Sequence, residues 1–115
     1  MVEKPSFTSL SNFNRALEDL LGKMSGPEKI AQLCAVRAIE LTEDGKFSPA
    51  KANLLKNGIG IITRLTGDGL TPDQARDLVV QAQNYLIKET RLGIPAIVQE
   101  ECLAGIKSAE AASFP

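Results

Sequence analysis

The chain alternates short apolar segments with amphipathic segments, and this alternation constrains its fold more than any other feature. Three short apolar segments, Leu33–Ile39, Ile59–Leu65 and Ile94–Val98, predict buried strands. The pattern predicts a helix over Pro49–Lys56 between the first two, and a longer helix from Thr71 to Arg91 between the last two. Strands that alternate with helices are typical of right-handed βαβ crossovers and a parallel sheet.

Two capping boxes predict where helices begin. In Ser25–Glu28 and in Thr71–Gln74, the first side chain can accept a hydrogen bond from the last backbone N–H, while the last side chain reaches back. The first box predicts a short helix to about Gln32. It follows a helix predicted over Leu10–Met24, where apolar residues recur at three- and four-residue spacing. The pair Asp44-Gly45 predicts a turn.

The helix from Thr71 is the clearest element, because its residues separate into two faces. The apolar face comprises Ala75, Leu78, Val79, Ala82, Leu86 and Ile87, and the polar remainder comprises Arg76, Asp77, Gln81, Gln83, Asn84 and Lys88.

These patterns predict an α/β fold, and specifically the N-terminal part of a TIM-type (β/α)8 barrel. A parallel sheet is normally covered on both faces, and a few strands with their helices cannot achieve that alone. A complete (β/α)8 barrel takes about 250 residues, and the 115 residues here are less than half of that. We therefore expect residues 1–115 to form a single barrel fragment that is truncated before the barrel closes.

Charge and hydropathy exclude several classes of function. The chain has 13 basic and 14 acidic residues, and this near balance argues against nucleic-acid binding, which requires a basic surface. No apolar run approaches the roughly 20 residues needed to span a bilayer. The N-terminal Met1–Ser11 has no basic region followed by an apolar one, so we expect no secretory signal and a cytoplasmic location.

The supply of metal-binding and nucleophilic residues is small. The chain has no histidine and two widely separated cysteines, Cys34 and Cys102, so we expect no metal site and no cofactor. A disulfide is compatible with two cysteines, but reduced core residues are more typical of a chain without a secretory signal.

Polar residues directly follow the predicted strand Ile94–Val98, in the order Gln99, Glu100 and Glu101. Function in such sheets belongs at the carboxyl ends of the strands. Adjacent carboxylates in an extended segment point in different directions, so we expect one of the two to face the cleft. It could accept hydrogen bonds from sugar hydroxyls. The alternative is a pair of solvated loop charges, and these residues by themselves favour that alternative.

Three further groups near the strand ends have competing structural roles. Arg64 and Thr66 end the preceding strand. Arg64 could pair with Glu100 or Glu101, or face solvent, and we favour a structural role for it over a functional one. Gly67–Gly69 leads into a helix N-terminus but lacks the lysine of a phosphate-binding P-loop. Cys102 could be a nucleophile, but no histidine is present to activate it, which favours a small buried residue.

Several segments, in order along the chain, resemble motifs of the family-3 glycoside hydrolases. Leu20–Leu33 resembles their LLxxMTLEEKIxQL pattern, Asn57–Leu65 their NGIGxIsR strand and Thr90–Val98 their TRLGIPxIx strand. Glu101–Gly105 is similar to their E/D-x-x-H/S-G element, and Phe114-Pro115 to the start of FPQ. The form IPAIVxEECLxG is most similar to the β-glucosidase and β-xylosidase branch.

The resemblance implies a retaining, exo-acting β-glycosidase that hydrolyses O-glycosyl bonds of β-linked glucoside or xyloside oligosaccharides through a covalent intermediate. It implies substrate binding by Glu101, whose counterpart contacts hydroxyls of the terminal sugar. The family's nucleophile lies in a downstream S-D-W/Y-like motif and its acid/base often lies in a later domain, so no catalytic residue and no activity are expected in these 115 residues. Two residues depart from the family pattern. Gln99 stands where close relatives often have histidine, and Ala104 stands where others have histidine or serine.

A second class of function stays open. Exposed edges of a parallel sheet are templates for pairing, so the chain could instead be a non-catalytic interaction module that self-associates through them.

Overall fold

Three α-helices and five short β-strands make up the regular structure of residues 10–103, 105, 106 and 108, which the computed structural model describes. The helices are α1 (Leu10–Lys23), α2 (Gly26–Gln32) and α3 (Pro72–Glu89). The strands are β1 (Ala35–Arg37), β2 (Thr42–Glu43), β3 (Lys46–Phe47), β4 (Ile61–Thr63) and β5 (Ile97–Gln99). Two 3-10 helices span Ala38–Leu41 and Lys51–Leu55.

The predicted parallel sheet is confirmed. β1 pairs with β4 and β4 pairs with β5, both in parallel, so that the sheet order β1-β4-β5 follows the chain order. Val36, Ile62 and Val98 are in register across the three strands. Both predicted capping boxes are also confirmed, at Ser25 and at Thr71, and each starts its helix at the expected place.

The third strand of the parallel sheet begins later than predicted because the backbone groups of Pro95 and Ala96 are not free to pair with β4. Pro95 has no N–H to donate, and the Gln83 side chain takes both polar groups of Ala96. The Ala96 N–H donates to Gln83 Oε1 at 2.9 Å, and Gln83 Nε2 donates to the Ala96 carbonyl at 2.8 Å. Pairing in the sheet starts at the next residue, where the Ile97 N–H donates to the Gly60 carbonyl. Gln83, predicted on the exposed face, is therefore half-buried.

The connection from β1 to β4 also differs from the prediction. The strand expected over Leu33–Ile39 is shortened to β1, and a 3-10 helix follows it directly. The turn at Asp44-Gly45 is confirmed, and it joins β2 and β3 into a hairpin with positive φ at both residues. The helix expected over Pro49–Lys56 is present as a shorter 3-10 helix over Lys51–Leu55.

One face of the sheet is packed into a core. Val36 and Ile62 lie on this face with α3, whose Leu78, Ala82 and Leu86 are almost fully buried. The predicted apolar face of α3 is thus largely confirmed, although Val79 is half-buried and Ile87 is 52% exposed. Ile87 was assigned wrongly because it lies at the margin of the apolar stripe, where no neighbouring element covers it among the described residues.

The opposite face of the sheet is open in the part of the chain that the structure describes. Side chains alternate between the two faces of a strand, so Ala35, Ile61 and Ile97 share this second face. Ala35 is exposed, Ile61 is half-buried and Ile97 is 69% exposed. Two residues further along each strand, Arg37, Thr63 and Gln99 form a polar row on the same face. We call these two rows together the uncovered face.

The first helix is confirmed as an amphipathic helix, but it buries none of its residues. Its apolar stripe, with Phe13, Leu17 and Leu21, remains 42–51% exposed among the described residues. The stripe predicted from spacing is present, but it is not part of the buried core among the described residues.

An ion pair joins the start of α2 to the loop after α3. Arg91 Nε donates to Glu28 Oε1 at 2.9 Å, and the Ser25 N–H donates to Glu28 Oε2 at 2.7 Å. The hydrogen bond from Arg91, with help from Ser25, lowers the pKa of Glu28 to about 2. These residues come from two separate motifs of the chain, so the two motifs meet in the fold.

Candidate functional site

The carboxyl ends of the three parallel strands meet at one edge of the sheet. The residues in register at this end are Arg37, Thr63 and Gln99. They share the uncovered face with the apolar row of Ala35, Ile61 and Ile97. Thr63 Oγ1 donates a hydrogen bond to Gln99 Oε1, which links the ends of β4 and β5. This edge, extended by the residues directly after each strand, is the candidate site.

Glu100 turns back from the end of β5 onto the loop after β4. Its Oε2 accepts hydrogen bonds from the Thr66 N–H at 2.8 Å and from Thr66 Oγ1 at 3.2 Å, and its Oε1 accepts from the Glu101 N–H at 2.9 Å. Burial by itself raises the pKa of Glu100, but these hydrogen bonds and one from the Gly67 N–H lower the pKa below its usual value. Glu100 is therefore an ionised, half-buried structural carboxylate.

Glu101 is exposed at the same edge, and its carboxylate has no hydrogen-bond or ion-pair partner among the described residues. The two adjacent carboxylates thus take different directions, as the extended backbone led us to expect. Glu101 remains the carboxylate that is open to an external ligand.

Of the alternatives left open for Arg64, the pairing with Glu100 or Glu101 is not formed. Arg64 instead pairs with Asp68, at 3.3 Å from Nε to Oδ1, in the structural role that the sequence favours. Arg37 pairs with both oxygens of the same carboxylate, with Nε to Oδ2 at 2.8 Å and Nη2 to Oδ1 at 2.8 Å. The hydrogen bond from Arg37, more than the charge of Arg64, lowers the pKa of Asp68.

The loop Gly67–Gly69 is filled by the protein's own carboxylates. Asp68 lies within it, and N–H groups of Thr66 and Gly67 point at Glu100. A phosphate would meet two negative charges at this place, so the geometry gives no support to phosphate binding.

Both cysteines are free, as predicted, but the expectation that they are buried core residues is wrong. Cys34 and Cys102 are exposed. Cys34 immediately precedes β1 and Cys102 follows β5, and these are the two outer strands of the sheet, where no further element covers the chain among the described residues.

Other predicted features bear on the surroundings of the site. Ala104 and Phe114-Pro115 lie outside the described residues. Within the described ranges, no three His, Cys, Asp or Glu side chains lie close enough to hold a metal ion. No helix in the described part of the chain is both long and apolar enough to cross a bilayer.

Sequence reasoning missed Arg37 and Asp68 as members of this edge. Arg37 was placed inside the predicted strand Leu33–Ile39, and the early end of β1 brings it to the edge instead. Asp68 is an acidic residue between two glycines, in the loop that follows β4, and this was a usable signal for a loop carboxylate that anchors nearby arginines.

Comparison with models of known protein families gives no match, and a search of curated proteins finds no similar sequence.

Proposed function

We propose that this chain is the first part of the catalytic barrel of a retaining, exo-acting β-glycosidase, similar to the β-glucosidases and β-xylosidases of glycoside hydrolase family 3. In this proposal, Glu101 binds hydroxyls of the terminal sugar, and the catalytic carboxylates lie elsewhere in the enzyme. The observation that supports it best is a parallel sheet with one packed face, one uncovered face and polar side chains at its carboxyl edge.

The uncovered face fits the interior of a barrel. Parallel strands in α/β proteins are nearly always covered on both sides, and in a barrel the second side is covered by the remaining strands. The exposed Ile97 and half-buried Ile61 are apolar, as interior barrel positions require. Arg37, Thr63 and Gln99 are polar and stand at the carboxyl end, where barrel enzymes bind their substrates.

Glu101 fits the binding role because it is a carboxylate and because that carboxylate is exposed, with no hydrogen-bond or ion-pair partner among the described residues. An ionised carboxylate is an acceptor only, with two oxygens, so it can accept hydrogen bonds from two neighbouring sugar hydroxyls. Glu100 is less suited to this role, because it is half-buried and already accepts hydrogen bonds from Thr66, the Glu101 N–H and the Gly67 N–H.

A complementation assay tests this proposal. The test uses a family-3 β-glucosidase from which the residues up to the FPQ motif have been deleted. This truncated barrel is mixed with the 115-residue chain and with nitrophenyl β-glucoside or β-xyloside. We expect hydrolysis from the mixture and none from either part alone. The relative's own missing segment is the positive control; activity with that segment but not with this chain would contradict the proposal.

Two variants locate the contribution of the carboxylate. Glu101→Gln removes the charge at the edge and should raise KM in the complemented enzyme by at least about tenfold, as expected for hydrogen bonds to a charged group. Glu89→Gln is the matched control, because Glu89 is an exposed carboxylate at the end of α3, away from the edge. It should leave KM unchanged.

A second candidate is a non-catalytic module that self-associates through its strand edges. It is favoured by the open outer edges of β1 and β5 among the described residues, and by the 69% exposure of Ile97 beside one of them. Sedimentation velocity separates the two candidates: a monomer at high concentration counts against this one, and concentration-dependent association that Ile97→Lys abolishes favours it.

A further inference from the structure

We propose that Glu100 is a positioning residue that holds the main chain at Glu101, so that the Glu101 carboxylate leaves the sheet edge toward the sugar. The role of Glu101 in this statement rests on the proposed function. The coupling of Glu100 to the backbone is a property of the chain itself and can be tested without any sugar.

The geometry gives each oxygen of Glu100 a different task. Oε2 is held by the loop after β4, through the N–H and the hydroxyl of Thr66. Oε1 accepts from the Glu101 N–H at 2.9 Å and so fixes the peptide plane that leads into Glu101. A single side chain thereby ties the end of β5 to the end of β4 beyond the last ladder hydrogen bond.

The loop that receives Glu100 is itself anchored. Asp68, two residues after Thr66, is held by Arg37 at 2.8 Å and by Arg64 at 3.3 Å. Arg37 ends β1 and Arg64 directly follows β4, so these contacts join the ends of β1 and β4, and Glu100 extends them to the end of β5. Glu100 is the link of this network that reaches the candidate binding residue.

Glutamate suits this position better than its closest isosteres. A glutamine has one acceptor oxygen, so it could satisfy Thr66 or the Glu101 N–H but would turn an NH₂ donor toward the other. An aspartate is one methylene shorter and could not span from the end of β5 to Thr66. Glu100→Gln should therefore release one of the two bonds without changing the size of the side chain.

Amide NMR of the full 115-residue chain tests the coupling. In Glu100→Gln we expect the amide resonance of Glu101, of Thr66 or of both to shift upfield, and hydrogen exchange at the released amide to accelerate by about tenfold, as for the loss of one charged hydrogen bond. Glu101→Gln and Glu89→Gln are matched controls that should leave the Thr66 amide unchanged. Unchanged Thr66 and Glu101 amides in Glu100→Gln would overturn the proposal.

If Glu100→Gln does not fold, Thr66→Val provides the second measurement. It removes the hydroxyl donor and keeps the N–H, so the shift at Glu101 should be smaller but should affect the same residues. A Thr66→Val spectrum with no change at Glu101 would equally overturn the proposal.

The complemented barrel supplies the functional readout. Glu100→Gln and Glu101→Gln should each raise KM by at least about tenfold with little change in kcat, and the double variant should be no worse than Glu101→Gln alone, because both act through one carboxylate. Multiplying effects would contradict positioning. If the parent chain does not complement the barrel, the proposed function fails, and the amide measurement still decides the role of Glu100.

Discussion

Gly60 is where a single added methyl group should do the most damage to the described fold. A Cβ built at Gly60 would lie 2.0 Å from the carbonyl oxygen of Gln32 and 2.8 Å from its carbonyl carbon, and both are main-chain atoms at the end of α2. Neither can rotate away as a side chain could, so α2 and β4 must move apart. This movement strains the hydrogen bonds from the Gly60 N–H to Ala31 at 3.0 Å and from the Ile61 N–H to Cys34 at 3.2 Å.

The magnitude follows from these contacts. Overpacking typically costs about 1–3 kcal/mol, and each strained hydrogen bond is worth about 1 kcal/mol. The gain from restricting the unfolded chain offsets about 0.5 kcal/mol of this. We therefore expect Gly60→Ala to lower the free energy of unfolding by about 2.5–4.5 kcal/mol, measured by urea denaturation with far-ultraviolet circular dichroism.

Gly22→Ala is the matched control for Gly60→Ala. Gly22 lies within α1, and a Cβ there has no atom within 4 Å. Because alanine is the better helix former, Gly22→Ala should raise the free energy of unfolding by up to about 1 kcal/mol. A Gly60→Ala chain that is as stable as the parent would refute the close approach of α2 to β4.

Three further predictions concern individual side chains. Glu28 has a folded pKa of about 2 against a usual 4.5, so its charge stabilises the fold fully above pH 4.5 and progressively less as the pH falls toward 2. The difference in free energy of unfolding between the parent and Glu28→Gln, measured by urea denaturation at each pH, should therefore shrink as the pH falls from 4.5 toward 2. A difference that stays constant over this range would contradict the ion pair. Cys34 and Cys102 should both react with a thiol reagent in the folded chain, and a thiol that reacts only in denaturant is not exposed as described. Glu101→Gln should change the free energy of unfolding by less than about 0.5 kcal/mol, because Glu101 is exposed; a larger loss would mean that it has a structural partner.

The sequence predicted the elements whose signals are local. The capping boxes at Ser25 and Thr71 specify their helices through contacts within four residues, and both are present. The hairpin turn at Asp44-Gly45 follows from the tolerance of these residues for positive φ. The parallel pairing followed from the alternation of strands and helices.

The sequence could not give the elements that depend on distant partners. β5 begins at Ile97 because Gln83, on another element, takes the backbone groups of Ala96. The exposure of Cys34 depends on which strand lies at the sheet edge, and that is decided by the order of the strands.

For the candidate site, the sequence placed Glu100 and Glu101 at a strand end and expected them to diverge. It could not show that Thr66 would hold Glu100, because that contact spans 34 residues. It left the partner of Arg64 open between a glutamate and solvent, and the partner is Asp68, four residues further along the chain.

The central claim is that these residues begin a family-3-like barrel, and reading the coding sequence beyond Pro115 tests it most directly. The account predicts a glutamine codon immediately after Pro115, further alternation of strands and helices, and an S-D-W or S-D-Y motif that would supply the nucleophile. A coding sequence with neither the glutamine nor that motif would contradict the claim.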